Sequence, residues 1–217
     1  MRNAEVLLKP FGNIPLRHHT VLSALNGYKT PNNKISRWLD EGVLLPLKRG
    51  MYVVSPEVSG KPIAHLLVAN VLYGPSCVSL DYALWHYGLI PEAVFEVTSV
   101  TPRRSRQLDT GVGHFAYYHV PEILYPIGMQ SVAATGGGYC LLATPAKALC
   151  ERLLLTRQLR VHSVKSMQAF LLEDMRFDDT EAEMIALETI AFYQQSGHKT
   201  ELFTQLYGAI QQWQRQS

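Results

Sequence analysis

Ile14 to Ser55 reads IPLRHHTVLSALNGYKTPNNKISRWLDEGVLLPLKRGMYVVS, and the spacing of its apolar residues lays out four elements in order. His18, Val21, Leu22 and Leu25 recur at helical spacing, and Asn26-Gly27 supplies the stop. Thr30-Pro31 then offers an N-cap hydroxyl followed by proline at the first helical position, where its missing N–H costs nothing. The second helix carries the stripe Ile35, Trp38 and Leu39 and ends at Gly42, which suits a left-handed cap. Its other face holds Asn33, Lys34 and Arg37. Val43 to Leu47 and Met51 to Val54 are β-prone runs around Lys48-Arg49-Gly50, which predicts a hairpin with two cations at its tip.

Helix, turn, helix, hairpin is the order of a winged helix-turn-helix. A helix about 10–12 Å across fits a major groove about 12 Å wide, so such a unit suits duplex DNA. Asn33, Lys34 and Arg37 are the candidate readers of base edges or phosphates, with Lys48 and Arg49 on the wing as phosphate or minor-groove contacts. Trp38 and Tyr52 fall in line with apolar neighbours and read as core, and His18-His19 as one packed and one exposed histidine that cannot share a metal easily. Residues 1–54 hold eight basic and three acidic side chains, a net +5, whereas the rest of the chain is net −3. That asymmetry points to a polyanion-binding N-terminal module joined to something with a different task. A winged helix docking an acidic protein instead of DNA is the alternative.

The 217 residues, 47% hydrophobic and 18% charged, supply enough apolar material for one large domain or two small ones. No run reaches the roughly 18–20 apolar residues of a membrane-spanning helix. Met1 to Pro10 has neither a long apolar core nor a small-residue cleavage site, so the cytoplasm is the expected location. Cys77, Cys140 and Cys150 lack CxxC or Cys/His ligand spacing, which argues against a disulfide framework or a zinc site.

SPEVSGKP, residues 55–62, reads as a linker, giving an expected boundary between domains 1–58 and 59–217. Beyond it the pattern predicts helices over Ile63 to Tyr73 and from an N-cap at Ser79 to Gly88, and strands over Val94 to Val100, Val112 to Val120 and Tyr139 to Ala143. Between the first two strands, Arg103, Arg104 and Arg106 stand against Asp109 alone, as a solvated hairpin tip or a second nucleic-acid contact. Thr144-Pro145 repeats the cap-and-proline device and opens a helix to about Leu155. Val164 to Leu172 is a further short helix. An acidic stretch follows, with six carboxylates between Glu173 and Glu183 against Arg176, and two helices, roughly 180–195 and 199–213, close the chain. The fold class expected is therefore α+β: a winged helix-turn-helix, then a mixed α/β domain with a small sheet and a helical C-terminus.

Motifs for phosphate cradles, zinc proteases and nucleophile elbows are absent, and no cofactor or metal is expected. Gly136-Gly137-Gly138 lacks the lysine and helix start of a phosphate loop and reads as a flexible loop. His114 and His119 lie five apart on a predicted strand, on opposite faces, and Cys150 and His162 fall in separate predicted helices. A metal-dependent nuclease using Asp81 and Glu96 is the enzymatic alternative, although the lysine two residues beyond Glu96 is missing.

Together the phrases LKRGMYVVSPEVSG, LYGPSCVSLDYALWHYGLIPEAVFEVTSVTPRRSR and ATPAKALCERLLL resemble the antitoxin component of AbiE-type abortive-infection, type IV toxin-antitoxin systems. The likeness covers most of residues 11–175. It implies a winged helix that represses its own operon at inverted repeats, with Asn33 to Arg37 and the wing tip Lys48-Arg49 as DNA readers. It also implies a mixed α/β domain concerned with antitoxicity, and a nucleotidyltransferase-like toxin encoded alongside that need not be bound directly. Gly128 to Gly138 and the helices after about Glu181 match no motif.

Overall fold

The computed structural model describes residues 6–135 and 137–216. Leu16–Arg17 forms β1 and leads into α1, His18–Ala24; α2 spans Pro31–Asp40, β2 Leu44–Lys48 and β3 Met51–Val54. A two-residue strand leaves no periodic signal, and β1 is recognised by its pairing: Leu16 lies opposite Tyr52, giving a three-stranded antiparallel sheet ordered β1-β3-β2. Val21, Leu25, Ile35 and Trp38 from the two helices pack on Leu44, Tyr52 and Val54. Pro31 sits in the first helical turn as expected, but the Thr30 hydroxyl caps nothing, because its backbone (φ −136°, ψ 69°) departs from the extended geometry a working N-cap needs. Gly42, at φ 69°, does end α2, and the Val43 N–H reaches back to the Trp38 carbonyl at 2.9 Å.

Every residue of β3 is buried. Alternation along a strand sends neighbours to opposite faces, so a strand buried throughout has a core on each side. Leu44, Tyr52 and Val54 belong to the N-terminal core, whereas Leu47, Met51 and Val53 belong to the larger core of the rest of the chain. Residues 55–62, expected as a plain linker, contain a helical turn, α3 (Pro56–Ser59), whose Val58 is buried in the N-terminal core.

Next come α4 (His65–Leu72), β4 (Cys77–Val78), α5 (Leu80–His86) and β5 (Val97–Thr101). Arg106–Thr110 is β6 and Gly113–His119 is β7; β8 is Met129–Ala133, β9 Tyr139–Ala143 and α6 Pro145–Leu155. The six-stranded sheet runs β6-β7-β5-β4-β9-β8, with β5 parallel to β7, β4 parallel to β9 and the other pairs antiparallel. Two corrections concern its edges. The stretch read as a hairpin tip supplies β6, and the unassigned tract after Gly128 supplies β8; both are edge strands of mixed exposure that lack a clean apolar alternation. A third concerns β5, which starts at Val97 rather than Val94, since Phe95 is 89% exposed.

The C-terminal layer is α7 (Val164–Ala169), prolonged by a wider π turn over Phe170–Asp174, a 3-10 segment at Asp179–Met184, α8 (Leu187–Gln195) and α9 (Thr200–Gln214). The helix expected from about 180 thus begins at Leu187, the acidic residues before it being taken up by the 3-10 turn. No helix among the described residues is long and apolar enough to cross a membrane.

The larger core encloses a charge pair the periodicity conceals. Lys147 and Glu151 stand one turn apart on α6, both fully buried, with Nζ donating to the carboxylate at 2.7 Å. Nζ also donates to the carbonyls of Tyr125 at 2.8 Å and Leu124 at 3.3 Å. Ser79, expected to cap α5, instead donates its hydroxyl to Glu151 Oε2 at 2.5 Å, and Tyr193 donates to Oε1 at 3.3 Å. Burial pushes the Glu151 carboxyl upward while Lys147, Ser79 and Tyr193 pull it down. Thr144 does cap α6, accepting from the Lys147 N–H at 3.3 Å.

Candidate nucleic-acid interface

α2 presents its polar face outward because Ile35 and Trp38 are claimed by the core. Asn33 and Arg37 are exposed and Lys34 is half-buried, its Nζ 5.2 Å from the centre of the Trp38 ring. Arg37 Nε donates to Glu41 one turn on at 2.7 Å, which raises the guanidinium's pKa and lowers that of the carboxyl. Both side chains are exposed, at 71% and 40%, so a competing phosphate displaces the pair at little cost.

The position of this face relative to the hairpin is set by His18, a residue expected simply to pack. Its backbone N–H donates to the Gly50 carbonyl in the wing turn at 2.8 Å. One ring nitrogen, Nε2, lies 3.1 Å from Asn32 Oδ1 in the first turn of α2, and Nδ1 lies 3.1 Å from the Tyr52 hydroxyl on β3. The amide oxygen can only accept, so Nε2 carries the proton and, in the neutral ring, Nδ1 accepts from the tyrosine. One side chain therefore ties the start of α2 to the β2–β3 hairpin, and Arg49 emerges exposed beside that junction. His19 is exposed, as expected of the second of the pair.

Lys48, the other cation of the hairpin, is also exposed but directs its amine to the body of the chain. Its Nζ donates at 2.6 Å to the Leu72 carbonyl, at the C-terminal end of α4 where helix carbonyls lack partners. Desolvation of the amine, then the like charges of Arg106 and Arg17, lower its pKa. So Lys48 belongs with Arg17 and Arg106 to a cationic seam where the hairpin meets the edge strand β6, and Arg49 is the cation left at the tip. The Gly111 N–H closes the seam on the Pro46 carbonyl at 2.9 Å; a Cβ there would lie 3.0 Å from the proline ring, which is why glycine fits. Arg106 stands 5.6 Å over the Tyr73 ring, and the Tyr73 hydroxyl donates to the Arg104 carbonyl at 3.1 Å. Arg103 and Arg104 are exposed in the preceding loop. The sequence carries no warning of Tyr73 or Arg17, because their role depends on pairing between distant strands.

Of the other candidates, Asp81 and Glu96 come together at one cavity, whereas the histidines and cysteines do not. Asp81 accepts from Arg152 Nε at 2.6 Å, and it shares a cavity of about 390 Å³ with Glu96, Glu92, Asp174 and that arginine. Among the described residues no cluster of three or more His, Cys, Asp or Glu is placed to hold a metal ion. His114 pairs with Asp109 across β6 and β7 at 2.6 Å, and His119 sets Nδ1 3.1 Å from the Arg103 carbonyl. The three cysteines are buried thiols, and burial pushes Cys77 up to about 12 and Cys150 well above the ordinary range. Gly136 of the glycine tripeptide lies outside the described residues.

Comparison with protein-family models and with curated proteins finds no match to either.

Proposed function

We propose that the chain is a DNA-binding transcriptional repressor that serves as the antitoxin of a type IV, abortive-infection toxin-antitoxin system and autoregulates its operon. In this reading residues 1–58 are a winged helix-turn-helix, residues 59–217 are the antitoxin domain, and the protein performs no chemistry. It acts in the cytoplasm. Its functional partner is a nucleotidyltransferase-like toxin, and its ligand is an operator of inverted repeats. The antitoxin assignment rests on the family resemblance of the sequence.

The DNA-binding part is carried by one observation, the His18 tie that holds the N-terminal turn of α2 beside the wing turn. A recognition helix reads bases with its N-terminal residues while a wing touches the neighbouring backbone, so the two must be held in fixed relation. Asn33, Lys34 and Arg37 are the base and phosphate readers of α2, and Arg49 the wing cation that meets the backbone. The seam of Arg17, Lys48 and Arg106, with Arg103 and Arg104, extends the positive field that draws in a polyanion.

Fluorescence anisotropy with the fragment upstream of the chain's own gene tests this. Tighter binding than to a shuffled fragment is expected, and Arg37→Ala with Arg49→Ala lowers the salt slope by about 0.9 for each phosphate no longer neutralised. His18→Ala removes no lysine or arginine, yet it weakens specific binding while leaving non-specific binding intact. Equal affinity for both fragments refutes the repressor.

A further inference from the structure

We propose that the cavity between α6 and the β5–β7 face of the large sheet binds a phosphomonoester the size of a mononucleotide. Its volume is about 450 Å³, within the range of small-ligand sites, and it lies among residues that the DNA-binding reading leaves unused. The inference is independent of that reading.

The charges around the cavity do not cancel. Arg152 and Asp81 neutralise each other at 2.6 Å, and Arg152 is further held by Nη1 donating to Thr156 Oγ1 at 2.7 Å. Arg157, also on the wall, is exposed and makes no ion pair among the described residues, which leaves one positive charge in excess among the residues that line the cavity. His119 donates its Nδ1–H to the Arg103 carbonyl, so in the neutral ring Nε2 is an acceptor, open to a ligand N–H or O–H rather than to an ionised phosphate oxygen. Tyr118 brings a hydroxyl with no hydrogen-bond partner among the described residues, and burial, then the nearby carboxylates of Glu96 and Asp81, raise its pKa, so it stays protonated as a donor. Thr98 contributes nothing further: its hydroxyl already donates to the Ser79 carbonyl at 2.7 Å and accepts from the Tyr82 N–H at 3.2 Å.

The donors are Arg152 in the last turn of α6, Arg157 two residues beyond that helix and Tyr118 on β7, on two sides of one space. A planar carboxylate is satisfied by one bidentate arginine, whereas a tetrahedral phosphate uses donors arriving from several directions. Leu80 and Leu155 supply the apolar wall against which a base or other flat group can lie. Leu80 holds φ 61°, a left-handed conformation that costs a side-chain-bearing residue roughly 1–2 kcal/mol in general. Strain of this kind gathers at ligand sites, where the surroundings over-determine the backbone.

Calorimetric titration of the full chain with AMP, adenosine and inorganic phosphate tests the assignment, together with amide NMR shifts. AMP is expected to bind at least about tenfold more tightly than adenosine, one such step reflecting the charged donors, and more tightly than phosphate, reflecting the apolar wall. The shifts should centre on Ser105, Tyr118 and His119. Arg157→Ala should weaken AMP about tenfold without lowering the melting temperature, and without altering affinity for duplex DNA. Adenosine binding as tightly as AMP, phosphate binding as tightly as AMP, an unchanged affinity in Arg157→Ala, or shifts centred on α2 and the wing would each overturn the proposal. So would a failure of AMP to bind at about 10 mM, weaker than any affinity of use.

Discussion

Replacing Lys147 by methionine strips the buried carboxylate of Glu151 of its counter-ion and leaves its surroundings otherwise intact. Methionine fills most of the space, so packing changes little. What remains is a fully buried carboxylate facing two hydroxyl donors, Ser79 at 2.5 Å and Tyr193 at 3.3 Å, while the carbonyls of Leu124 and Tyr125 lose their donor. Orphaning one member of a buried pair costs about 3–5 kcal/mol, which in a chain of this size lowers the melting temperature by roughly 6–20 °C. Glu151→Gln, which strands the ammonium, should cost a similar amount. The double variant Lys147→Met/Glu151→Gln removes both charges and keeps an acceptor for Ser79 and Tyr193, so it should lose only about 2–4 kcal/mol. Urea denaturation followed by circular dichroism measures all four corners of the cycle. Losses that add to within about 0.5 kcal/mol refute the reasoning, since residues in one network are non-additive.

The two threonine–proline helix starts separate a cap in sequence from a cap in space: Thr144→Ala should cost about 1 kcal/mol in thermal unfolding and Thr30→Ala a few tenths, since the Thr144 oxygen alone accepts a backbone N–H. Gly128→Ala should cost at least about 2 kcal/mol by the same assay, because its φ is 67° and a Cβ would lie 2.9 Å from both Lys147 Cβ and Thr144 Oγ1. For Lys48, nitrogen-detected NMR should place the amine's pKa below that of an ordinary lysine and find it rising in Arg106→Gln as one like charge is removed; no movement would place Arg106 elsewhere. Since the folded state holds this proton less tightly than the unfolded chain, the lysine's contribution to stability is present above the ordinary lysine pKa. It is lost as pH falls through the lowered one, and a bound polyanion reverses the shift.

How much of this is legible in the sequence depends on how local each feature is. The helices at His18–Ala24, Pro31–Asp40 and Pro145–Leu155 and the hairpin Leu44–Val54 follow from repeats and punctuation within about a dozen residues. Trp38 and Tyr52 are legible as core for the same reason. The edge strands are not: Arg106–Thr110 and Met129–Ala133 are strands because a neighbour satisfies their backbone, and their own side chains do not alternate. Among candidate site residues, Asn33 and Arg37 on α2 and Lys48 and Arg49 on the hairpin are exposed and Lys34 is half-buried, but the tie of Lys48 escapes a sequence reading because its partner, the Leu72 carbonyl, is twenty-four residues away. The Lys147–Glu151 pair is hidden for a different reason: lysine and glutamate one turn apart, with Arg152 next to them, fit a solvated bridge as readily as a buried one. Ser79 shows the converse, a cap-like residue recruited by a distant carboxylate.

The β2–β3 hairpin belongs to both cores, and this constrains how the two parts of the chain can move. Leu44, Tyr52 and Val54 on one face and Leu47, Met51 and Val53 on the other are fixed by the period of the strand, so neither face can be freed without exposing buried apolar surface. The seam bonds from Lys48 to Leu72 and from Gly111 to Pro46 hold the same hairpin against α4 and the turn after β6. A hairpin so held cannot swing free of the large sheet without breaking these contacts. Hydrogen bonds run from the turn after β6 through Gly111 and Pro46 to the hairpin, and from the hairpin through His18 to the first turn of α2, so a contiguous set of contacts joins the sheet edge to that helix.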